Sequence, residues 1–329
     1  TTEIYTLSLH DALPISVVFQ LLAIVWTWAA AGTLDFVPGG ILAGKVSDGA
    51  VAVLFALYVF GVGKAAVMPF HRWLPAAMVA PTPVSALLHA VAVVKAGVFT
   101  VLKVTVYVFG LDLLAATGGG TWLVWVAGFT IIAASVVALT KDNLKARLAY
   151  STISQLSYVV LGAALLAPVS VLGAAVHIAA HAVGKITLFF AAGAVMVASH
   201  KTEVSQLAGI GRRMPWTMGA FAVGALSMIG LPPTAGFVSK WYVLSGAVET
   251  GQMLAVAVVV ASTLLNAGYF LPIVYSAFFG REVHDGHHHD HGEAPWPSVA
   301  ALTLTAAATV ALFLMPDWAI GLAGDLVGR

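Results

Sequence analysis

The sequence predicts an all-α protein, a polytopic transmembrane helix bundle of about nine spans that includes broken helices. Hydrophobic residues make up 60% of its 329 residues, charged residues only 9%, and the mean hydropathy is +0.97. An ordinary globular chain has roughly 25% charged residues. The apolar residues form continuous stretches and lack the alternation that barrel strands show. The chain is therefore expected to lie in a lipid bilayer as a set of helices.

Each predicted span has about the length that the bilayer requires, roughly 20 apolar residues. All should be helical, because backbone groups in lipid must satisfy their hydrogen bonds within the segment. Charged clusters and Pro/Gly punctuation divide the chain into spans near residues 17–34, 49–70, 81–109, 121–140, 147–166, 170–197, 216–246, 252–279 and 297–320.

Loop charge predicts the orientation of the bundle. The loops after the second, fourth, sixth and eighth spans carry eight basic residues: Arg72, Lys141, Lys145, Arg147, Lys201, Arg212, Arg213 and Arg281. The opposite side carries two, Lys45 and Arg329. Because basic loops stay in the cytoplasm, we expect a multi-pass protein of the cell inner (cytoplasmic) membrane with an extracytoplasmic C-terminus.

The segments outside the membrane stretches define the expected domains. Residues 1–16, TTEIYTLSLHDALPIS, are polar and lack the basic region and apolar core of a signal peptide, so we interpret them as an artefactual leader that marks a truncated gene. Residues 17–280 form the membrane domain, and 297–329 form the last helix and the C-terminus. Between them, 281–296 is a cytoplasmic loop with five of the eleven histidines. A solvated linker and weak metal binding or pH sensing remain alternatives for that loop.

Two spans are interrupted by proline and glycine. The first interruption, MPFHRWLPAAMVAPTP, contains Pro69 and Pro75, and the second, GLPPTAGF, contains Pro232, Pro233 and Gly236. Non-helical backbone at membrane depth is tolerated where it is buried in protein or lines a cavity, and the exposed helix ends can bind ions. A packing kink is the alternative, but the density of breaks in the second segment favours an ion path.

Ionisable side chains inside the spans are the main candidates for function, since such groups are costly in lipid and usually line a polar path. Five lysines lie there without any Asp or Glu: Lys64, Lys95, Lys103, Lys185 and Lys240. Lys103 lies near a membrane edge, where we expect it to reach the interface. Lys145 lies at the start of the fifth span. It either helps to set the orientation of the chain in the membrane or lies at the entrance of a proton path.

Histidines add a row that can exchange protons. His177, His181 and Lys185 follow one another at intervals of four residues, which places them on one helical face. Histidine titrates near neutral pH, so the row fits a proton relay better than a structural or metal role. His89 and Lys95 share the third span at a separation of six, on different faces of an ideal helix, so they need not touch.

Other chemistry is not indicated. The chain has no cysteine, which excludes disulfides and thiolate metal or iron–sulfur ligation, and its formal charge of +1 gives no case for nucleic acid. We find no phosphate loop, nucleophile elbow, paired carboxylates or metal site. We therefore expect no cofactor, and redox chemistry would belong to a partner.

Four collinear segments resemble the antiporter-like family, which comprises the proton-pumping membrane subunits of respiratory complex I and the large subunits of Mrp-type monovalent cation/proton antiporters. They are Gly63 to Phe99, Lys141 to Tyr158, His177 to Val195 and Gly230 to Leu244. The resemblance implies a fourteen-helix fold with two inverted repeats, each with one broken helix. The nine spans are similar to the family's sixth through fourteenth helices.

The resemblance also implies roles for single residues. Lys64 matches the pump lysine, whose glutamate partner lies on a fifth helix outside this sequence. His89 and Lys95 match the connecting region, and Lys145 matches a basic residue at the start of the tenth helix. The central axis is matched by His177, His181 and Lys185, and the exit lysine by Lys240.

The function expected from this resemblance is a proton-translocating subunit of a multisubunit monovalent cation (Na⁺)/proton antiporter, similar to the D-type large subunit of Mrp antiporters. One alternative is a proton-pumping subunit of an NADH:quinone oxidoreductase, and another is a structural subunit whose polar axis is vestigial. The expected partners are other subunits of the complex, protons and possibly Na⁺, and the lipid bilayer.

Overall fold

The fold is all-α, as predicted. The computed structural model describes residues 2–281 and 292–327, with side chains from residue 14, and in that part the only strand-like pairing is a bridge between Asn143 and Glu203. The α-helices are α1 Thr2–Ala31, α2 Asp48–Gly61, α3 Trp73–Ala76, α4 Thr82–Ala86, α5 Val93–Lys103, α6 Leu111–Thr117, α7 Thr121–Thr140, α8 Leu144–Ala164, α9 Pro168–Ser199, α10 Ile210–Arg213, α11 Pro215–Ile229, α12 Ala235–Glu249, α13 Met253–Phe279, α14 Trp296–Leu314 and α15 Pro316–Gly324.

Short helical segments of other kinds join several of these helices. The 3₁₀ turns are Gly63–Ala65, Ala77–Val79, Val204–Leu207 and Asp325–Val327, and the π-helical stretches are Leu87–Val91 and Val104–Phe109. With its two π-helical stretches, Thr82–Phe109 runs as one helical span across α4 and α5.

Six helical segments of the described chain are long and apolar enough to cross a membrane. They are Pro14–Ala31, Thr82–Phe109, Thr121–Thr140, Pro168–Ser199, Met253–Phe279 and Trp296–Leu314. Each corresponds to one of the nine predicted spans. The polytopic membrane architecture follows from their number and composition.

The other three predicted spans depart from a simple apolar helix, each for a local reason. The second is short, because α2 ends at Gly61 before the Pro69 break. The fifth, α8, has 21 residues but is rich in Ser, Thr and Gln. The seventh is divided into α11 and α12, because the segment between them contains Pro232 and Pro233.

Helix α9 lies at the centre of the bundle and packs against α8, α11, α12 and α14. Small residues make these contacts close. A Cβ atom on Gly173 would lie 2.7 Å from the backbone nitrogen of Val243 on α12, and one on Gly184 would lie 2.7 Å from the Met228 side chain on α11. Glycine and other small residues allow membrane helices to approach in this way. Helix α9 therefore packs closely against α11 and α12.

Polar contacts fix the ends of the helices. The Asn143 side chain accepts a hydrogen bond from the Ala146 backbone and so caps α8, while its amide donates to Glu203 at 3.0 Å. Glu293 accepts hydrogen bonds from the backbone of Trp216 at 2.6 Å and of Thr217 at 3.3 Å. Its negative charge suits the N-terminus of α11.

The structure leaves predictions about two segments open. Helix α1 begins at Thr2 and continues without a break into the first span, and whether residues 1–16 are native stays a prediction. Residues 282–291 of the His-rich loop lie outside the described residues. Metal binding or pH sensing by that loop is therefore untested.

Candidate functional site: a buried axis of lysines and histidines

The predicted row on α9 is present and buried. His177 and His181 are each 1% exposed and Lys185 is 0% exposed. The two imidazole rings follow one another along the helix, with centroids 6.1 Å apart. The spacing of four residues thus does place these three groups on one inward face, as predicted.

Lys95 joins this row from a different helix. Its Nζ atom is in hydrogen-bonding contact with Nδ1 of His181, across 86 residues of sequence, and it donates to the His89 carbonyl oxygen at 3.4 Å. Lys95 itself is 7% exposed. The contact makes α5 and α9 one continuous site, which residue spacing alone did not predict.

His89 lies beside the row, in the π-helical stretch that precedes α5. Its ring packs on Phe189 with centroids 5.5 Å apart and lies in the electrostatic field of three lysines: Lys95, Lys145 and Lys185. Neither ring nitrogen has a hydrogen-bond partner among the described residues. Lys95 contacts the backbone carbonyl of His89, so the two side chains, predicted to lie on different faces, share no hydrogen bond in the described structure.

Lys185 is held by uncharged groups. Its ammonium donates to the Ser151 hydroxyl at 2.7 Å and to the Leu148 carbonyl at 3.2 Å, both on α8, and it lies 5.5 Å from the centre of the Phe270 ring. No hydrogen bond or ion pair to an acidic side chain is found for it in the described part of the chain. A charge held only by dipoles can release its proton more readily than one held by a carboxylate.

The second helix break supplies the site of Lys240. Helix α11 ends at Ile229, so its last carbonyl groups lack partners within the helix. The Lys240 ammonium donates to two of them, Met228 at 2.7 Å and Ile229 at 3.1 Å. The negative end of the helix dipole thus binds the lysine, and the ion-path role of the break stays a prediction.

His177 connects the row to this break. Its Nδ1 atom lies 2.8 Å from the Ser239 hydroxyl, which itself donates to the Gly236 carbonyl at 3.1 Å. The Tyr158 ring lies between the two ionisable groups, with its centroid 5.6 Å from that of His177 and 4.6 Å from the Lys240 ammonium. Gly236 is buried, whereas Pro232 and Pro233 are exposed.

The first helix break is arranged differently from the second, and the role of Lys64 there stays a prediction. Lys64 is exposed in this chain, and the turn Gly63–Ala65 that carries it packs its backbone on Gly97. A Cβ on Gly97 would lie 2.3 Å from the Lys64 carbonyl carbon. Pro69 is exposed and Pro75 half-buried. Lys64 therefore does not share the buried axis of Lys95, Lys185 and Lys240 within this chain.

Two basic residues at the start of α8 are anchored rather than free. The Lys145 ammonium donates to the Ala80 carbonyl at 2.6 Å. Arg147 is 9% exposed and donates from Nε to Lys141 at 2.7 Å and from a terminal nitrogen to Tyr269 at 3.1 Å. Lys103, expected at the membrane edge, is half-buried with its ammonium 3.8 Å from the centre of the Phe36 ring.

Several buried neutral polar residues near the lysines and histidines were not singled out from the sequence. They are Ser151, Gln155 and Tyr158 on α8, Ser239 on α12, and Ser262, Asn266 and Tyr269 on α13. The residues on α8 and on α13 are three or four positions apart, which places them on one face of each helix. That spacing was the signal in the sequence that could have identified them. Within the described residues, no group of three or more His, Cys, Asp or Glu side chains could hold a metal ion.

Comparison with known proteins identifies the family. The sequence profile described as "NADH:quinone oxidoreductase/Mrp antiporter, TM" matches residues 12–266. The chain belongs to this family. The match covers most of the chain, including the axis on α5, α8 and α9 and the Lys240 site.

Relatives of several kinds share this family's sequence. The chain is 38% identical over 265 residues to NADH-quinone oxidoreductase subunit N of Desulforudis audaxviator, covering 79% of this chain and 52% of the relative. It is 31% identical to hydrogenase-4 component B of Escherichia coli (92% and 48%) and 34% identical to a probable K⁺/H⁺ antiporter component of Rhizobium meliloti (82% and 27%). The chain thus spans about half or less of these relatives.

Two solved structures share the fold. The Mrp complex from Dietzia sp. DQ12-45-1b matches with a TM-score of 0.84 at 23% identity, over 98% of this chain and 67% of that one. The membrane-bound sulfane sulfur reductase, an archaeal respiratory membrane complex, matches with a TM-score of 0.85 at 25% identity, over 99% and 66%. The family relatives include respiratory and antiporter proteins, so similarity to the D-type Mrp protein in particular stays a prediction.

Proposed function

We propose that this chain translocates protons along its buried lysine and histidine axis, as the proton-translocating subunit of a multisubunit monovalent cation (Na⁺)/proton antiporter. The observation that carries the proposal is the contact between Lys95 on α5 and His181 on α9. It brings two groups that can exchange a proton into direct hydrogen-bonding contact in the bundle interior.

The remaining groups extend this contact in both directions. In one direction, Lys185 lies one turn from His181 along α9. In the other, His177 contacts Ser239, which donates to Gly236 at the helix break where Lys240 is bound. His177 and His181 each keep one ring nitrogen, Nε2, without a partner in the described chain. Because buried polar atoms are rarely left unpaired, water is the expected partner, and water also carries protons between neighbouring groups.

The structural alternative explains this arrangement less well. Three buried lysines without acidic partners destabilise a bundle, since each ionisable group in hydrocarbon costs several kcal/mol in the absence of compensation. A scaffold would be more stable with apolar residues at those positions. Proton transfer gives a reason for retaining them.

A respiratory proton pump is the second candidate function. The relative NADH-quinone oxidoreductase subunit N, at 38% identity, favours it. The same axis serves both functions, because in each case the chain moves protons while a partner supplies the driving force. For a respiratory complex that force would come from redox chemistry in other subunits, since this chain has no cysteine.

The axis is better suited to protons than to sodium. Hard cations prefer several oxygen ligands, and the axis presents ammonium and imidazole groups. We therefore place the path of the exchanged cation in other parts of the complex. The proposed setting is the cell inner (cytoplasmic) membrane with the C-terminus outside, in contact with lipid and partner subunits.

Replacement of Lys95 by Met tests the proposal, with Lys103→Met as the matched control on the same helical span. The full-length protein is reconstituted with its partners in vesicles, and proton flux is followed with a pH-sensitive dye. Lys95→Met should reduce the flux at least ~10-fold, since loss of a positioned acid–base group typically costs ~10²–10⁴-fold, while Lys103→Met should leave it nearly unchanged. Equal flux in both variants, at equal protein abundance, would refute the assignment.

A further inference from the structure

A groove on the outer surface of the bundle lies beside the N-termini of α11 and α14, and none of its lining residues belongs to the lysine and histidine axis. Its volume is about 660 Å³, within the range of roughly 300–1,000 Å³ that ligand sites have. Trp216 of α11, with Glu293 and Ala294 ahead of α14, forms one end of it. The rest is a stripe of α14 residues: Trp296, Val299, Ala300, Thr303, Leu304 and Ala307. This space is referred to below as the α11–α14 groove.

The length of the groove matches one leaflet of a bilayer. The stripe extends from Trp296 to Ala307, eleven positions later, which is roughly 17 Å of helix. The hydrocarbon core of a bilayer is about 30 Å thick, so one leaflet contributes about 15 Å. The groove thus ends near the middle of α14, which runs from Trp296 to Leu314. A transmembrane helix of a partner would need a contact surface along the whole span, whereas an acyl chain of one leaflet needs only this length.

The wall of the groove is apolar below its mouth. Among the described residues that line it beyond the first turn of α14, Thr303 is the one polar side chain, and its hydroxyl donates to the Val299 carbonyl of the same helix at 2.6 Å. Ala300 and Ala307 add only methyl groups, and Leu304 lies beside them 72% exposed. A polar ligand would lose its hydrogen bonds to water along this wall without replacement, whereas a hydrocarbon chain would not.

Two tryptophans mark the mouth of the groove. Trp216 and Trp296 lie in the first turns of α11 and α14 and are 60% and 79% exposed. Glu293 holds the two N-termini together, since it precedes α14 and accepts a hydrogen bond from the Trp216 backbone at 2.6 Å. Tryptophan is enriched at the level of the lipid headgroups. The mouth therefore lies at the membrane–water interface, and the stripe of α14 extends from there into the hydrocarbon.

Two arginines supply positive charge at the mouth. Arg212 and Arg213 end α10 and are exposed, and three positions separate Arg213 from Trp216, at most about 11 Å of chain. Arg212 donates to carbonyl groups through Nε and Nη2, so its Nη1 has no partner in the described structure. The negative charge of Glu293 is directed at the N-terminus of α11, where its second oxygen accepts from the Thr217 hydroxyl at 2.6 Å. Basic residues next to a membrane span attract anionic lipids, and arginine binds phosphate with paired hydrogen bonds.

We propose that the α11–α14 groove binds a bilayer phospholipid with an anionic headgroup, such as phosphatidylglycerol. One acyl chain lies along the stripe from Trp296 to Ala307, and the headgroup phosphate binds Arg212 and Arg213. The lipid adds contacts to α14, in which only three of the 19 residues are buried. This inference goes beyond the proposed function and does not depend on proton transfer.

Native mass spectrometry of the full-length protein in its purified complex tests the proposal, with phosphatidylglycerol and phosphatidylcholine added in equal amounts. Ala300→Trp fills the groove with an indole ring and should remove one bound phosphatidylglycerol per copy of the chain. Val136→Trp is the matched control and should retain the wild-type number. Val136 is 47% exposed near the end of α7, on the side of the bundle where Asp142 is hydrogen-bonded to Val204 ahead of α10.

A second variant tests the recognition of the headgroup. Arg212→Gln/Arg213→Gln should lower phosphatidylglycerol binding at least ~10-fold, because two positive charges at the membrane surface are removed. Phosphatidylcholine has no net charge, so its binding should stay the same. An equal fall for both lipids would refute selection for an anionic headgroup.

The outcomes of these measurements are independent of the proton-flux assay. No loss of lipid in Ala300→Trp, or an equal loss in Val136→Trp, would refute the lipid site, while the Lys95→Met test of the proposed function would be unaffected. High-resolution cryo-electron microscopy of the wild-type complex adds a readout that needs no variant. Elongated density along α14 from Trp296 to Ala307 is the expected result, and a partner helix seated in the groove would overturn the proposal.

Discussion

Gln155 and Lys240 donate hydrogen bonds to the same atom, the carbonyl oxygen of Met228, at 3.1 and 2.7 Å. This oxygen belongs to the last turn of α11, where the helix break leaves carbonyl groups without partners in the helix. The break thus performs two tasks. It binds the ammonium of Lys240, and it ties the polar face of α8 to that site.

Two substitutions of Lys240 separate proton transfer from charge alone. Lys240→Ala should reduce proton flux at least ~10-fold, because the group that accepts the proton is removed. Lys240→Arg should fail in the same way, because a guanidinium can still donate to Met228 and Ile229 but does not release its proton. Flux through the reconstituted complex and abundance of the protein in the membrane are the measurements.

The arginine variant decides between the alternatives for Lys240. A structural role at the end of α11 requires only a positive hydrogen-bond donor, so it would tolerate arginine. Near wild-type flux in Lys240→Arg would therefore contradict a proton-carrying role.

Gly236 is predicted to be the most sensitive glycine of the second break. A Cβ added there would lie 1.8 Å from the Ser227 carbonyl oxygen of α11, which is backbone and cannot move aside. Gly236→Ala should separate α12 from α11, shift Ser239 and Lys240, and lower both flux and abundance. Gly219→Ala on α11 is the control, because a Cβ there has no heavy atom within 4 Å. A similar effect of both variants on flux would argue against close packing at Gly236.

Much of the fold could be predicted from hydropathy, because the bilayer imposes the length and composition of its helices. The structure differs from the spans predicted by hydropathy where polar residues interrupt an apolar stretch. Helix α8 has the length of a membrane span, but polar residues such as Ser151 and Gln155 face the bundle interior. Its amino-acid composition is therefore more polar than that of a simple apolar span. The split of the seventh span was predictable, since Pro232 and Pro233 cannot continue a helix.

The site was predictable only within single helices. The four-residue spacing of His177 and His181 determines their common face, but the contact of Lys95 with His181 depends on how α5 packs on α9. The close approach of the Gly63–Ala65 turn to Gly97 was not predictable either. Interhelical packing carries no periodic signature in a single sequence.

Arg147 is predicted to stabilise the junction of α8 and α13. It is 9% exposed and donates from two separate nitrogens to the carbonyls of Lys141 and Tyr269, a geometry that a lysine does not reproduce because its donors share one nitrogen. Arg147→Lys should lower the unfolding free energy of the purified protein by about 1–3 kcal/mol, as expected when charged hydrogen bonds in a buried site are lost. Thermal unfolding in detergent, followed by tryptophan fluorescence, is the measurement.

Arg212→Lys provides a control with the same chemistry at an exposed position. Arg212 also binds two carbonyl groups, those of Phe278 and Gly280, both at 3.2 Å. Water can replace those bonds, so its substitution should have little effect on stability. Equal losses in the two arginine variants would contradict a special role for the buried junction.

The histidine row gives the sharpest contrast between a relay and a structural pair. A relay requires each imidazole to gain and lose a proton, whereas Gln in place of His177 or His181 keeps a donor and an acceptor but cannot titrate. Each single variant should lower flux at normal protein abundance. The loss should be larger for His181, because its ring contacts the Lys95 ammonium directly while His177 contacts the neutral Ser239 hydroxyl.

Both alternatives to the relay have their own expected outcomes in the same assay. A structural pair would tolerate Gln at both positions, and a metal site would lose activity when a chelator is added to the wild-type complex. The double variant His177→Gln/His181→Gln should lose at least ~90% of the flux if the row is the main route. Flux equal to that of the wild type in this double variant would end the relay hypothesis.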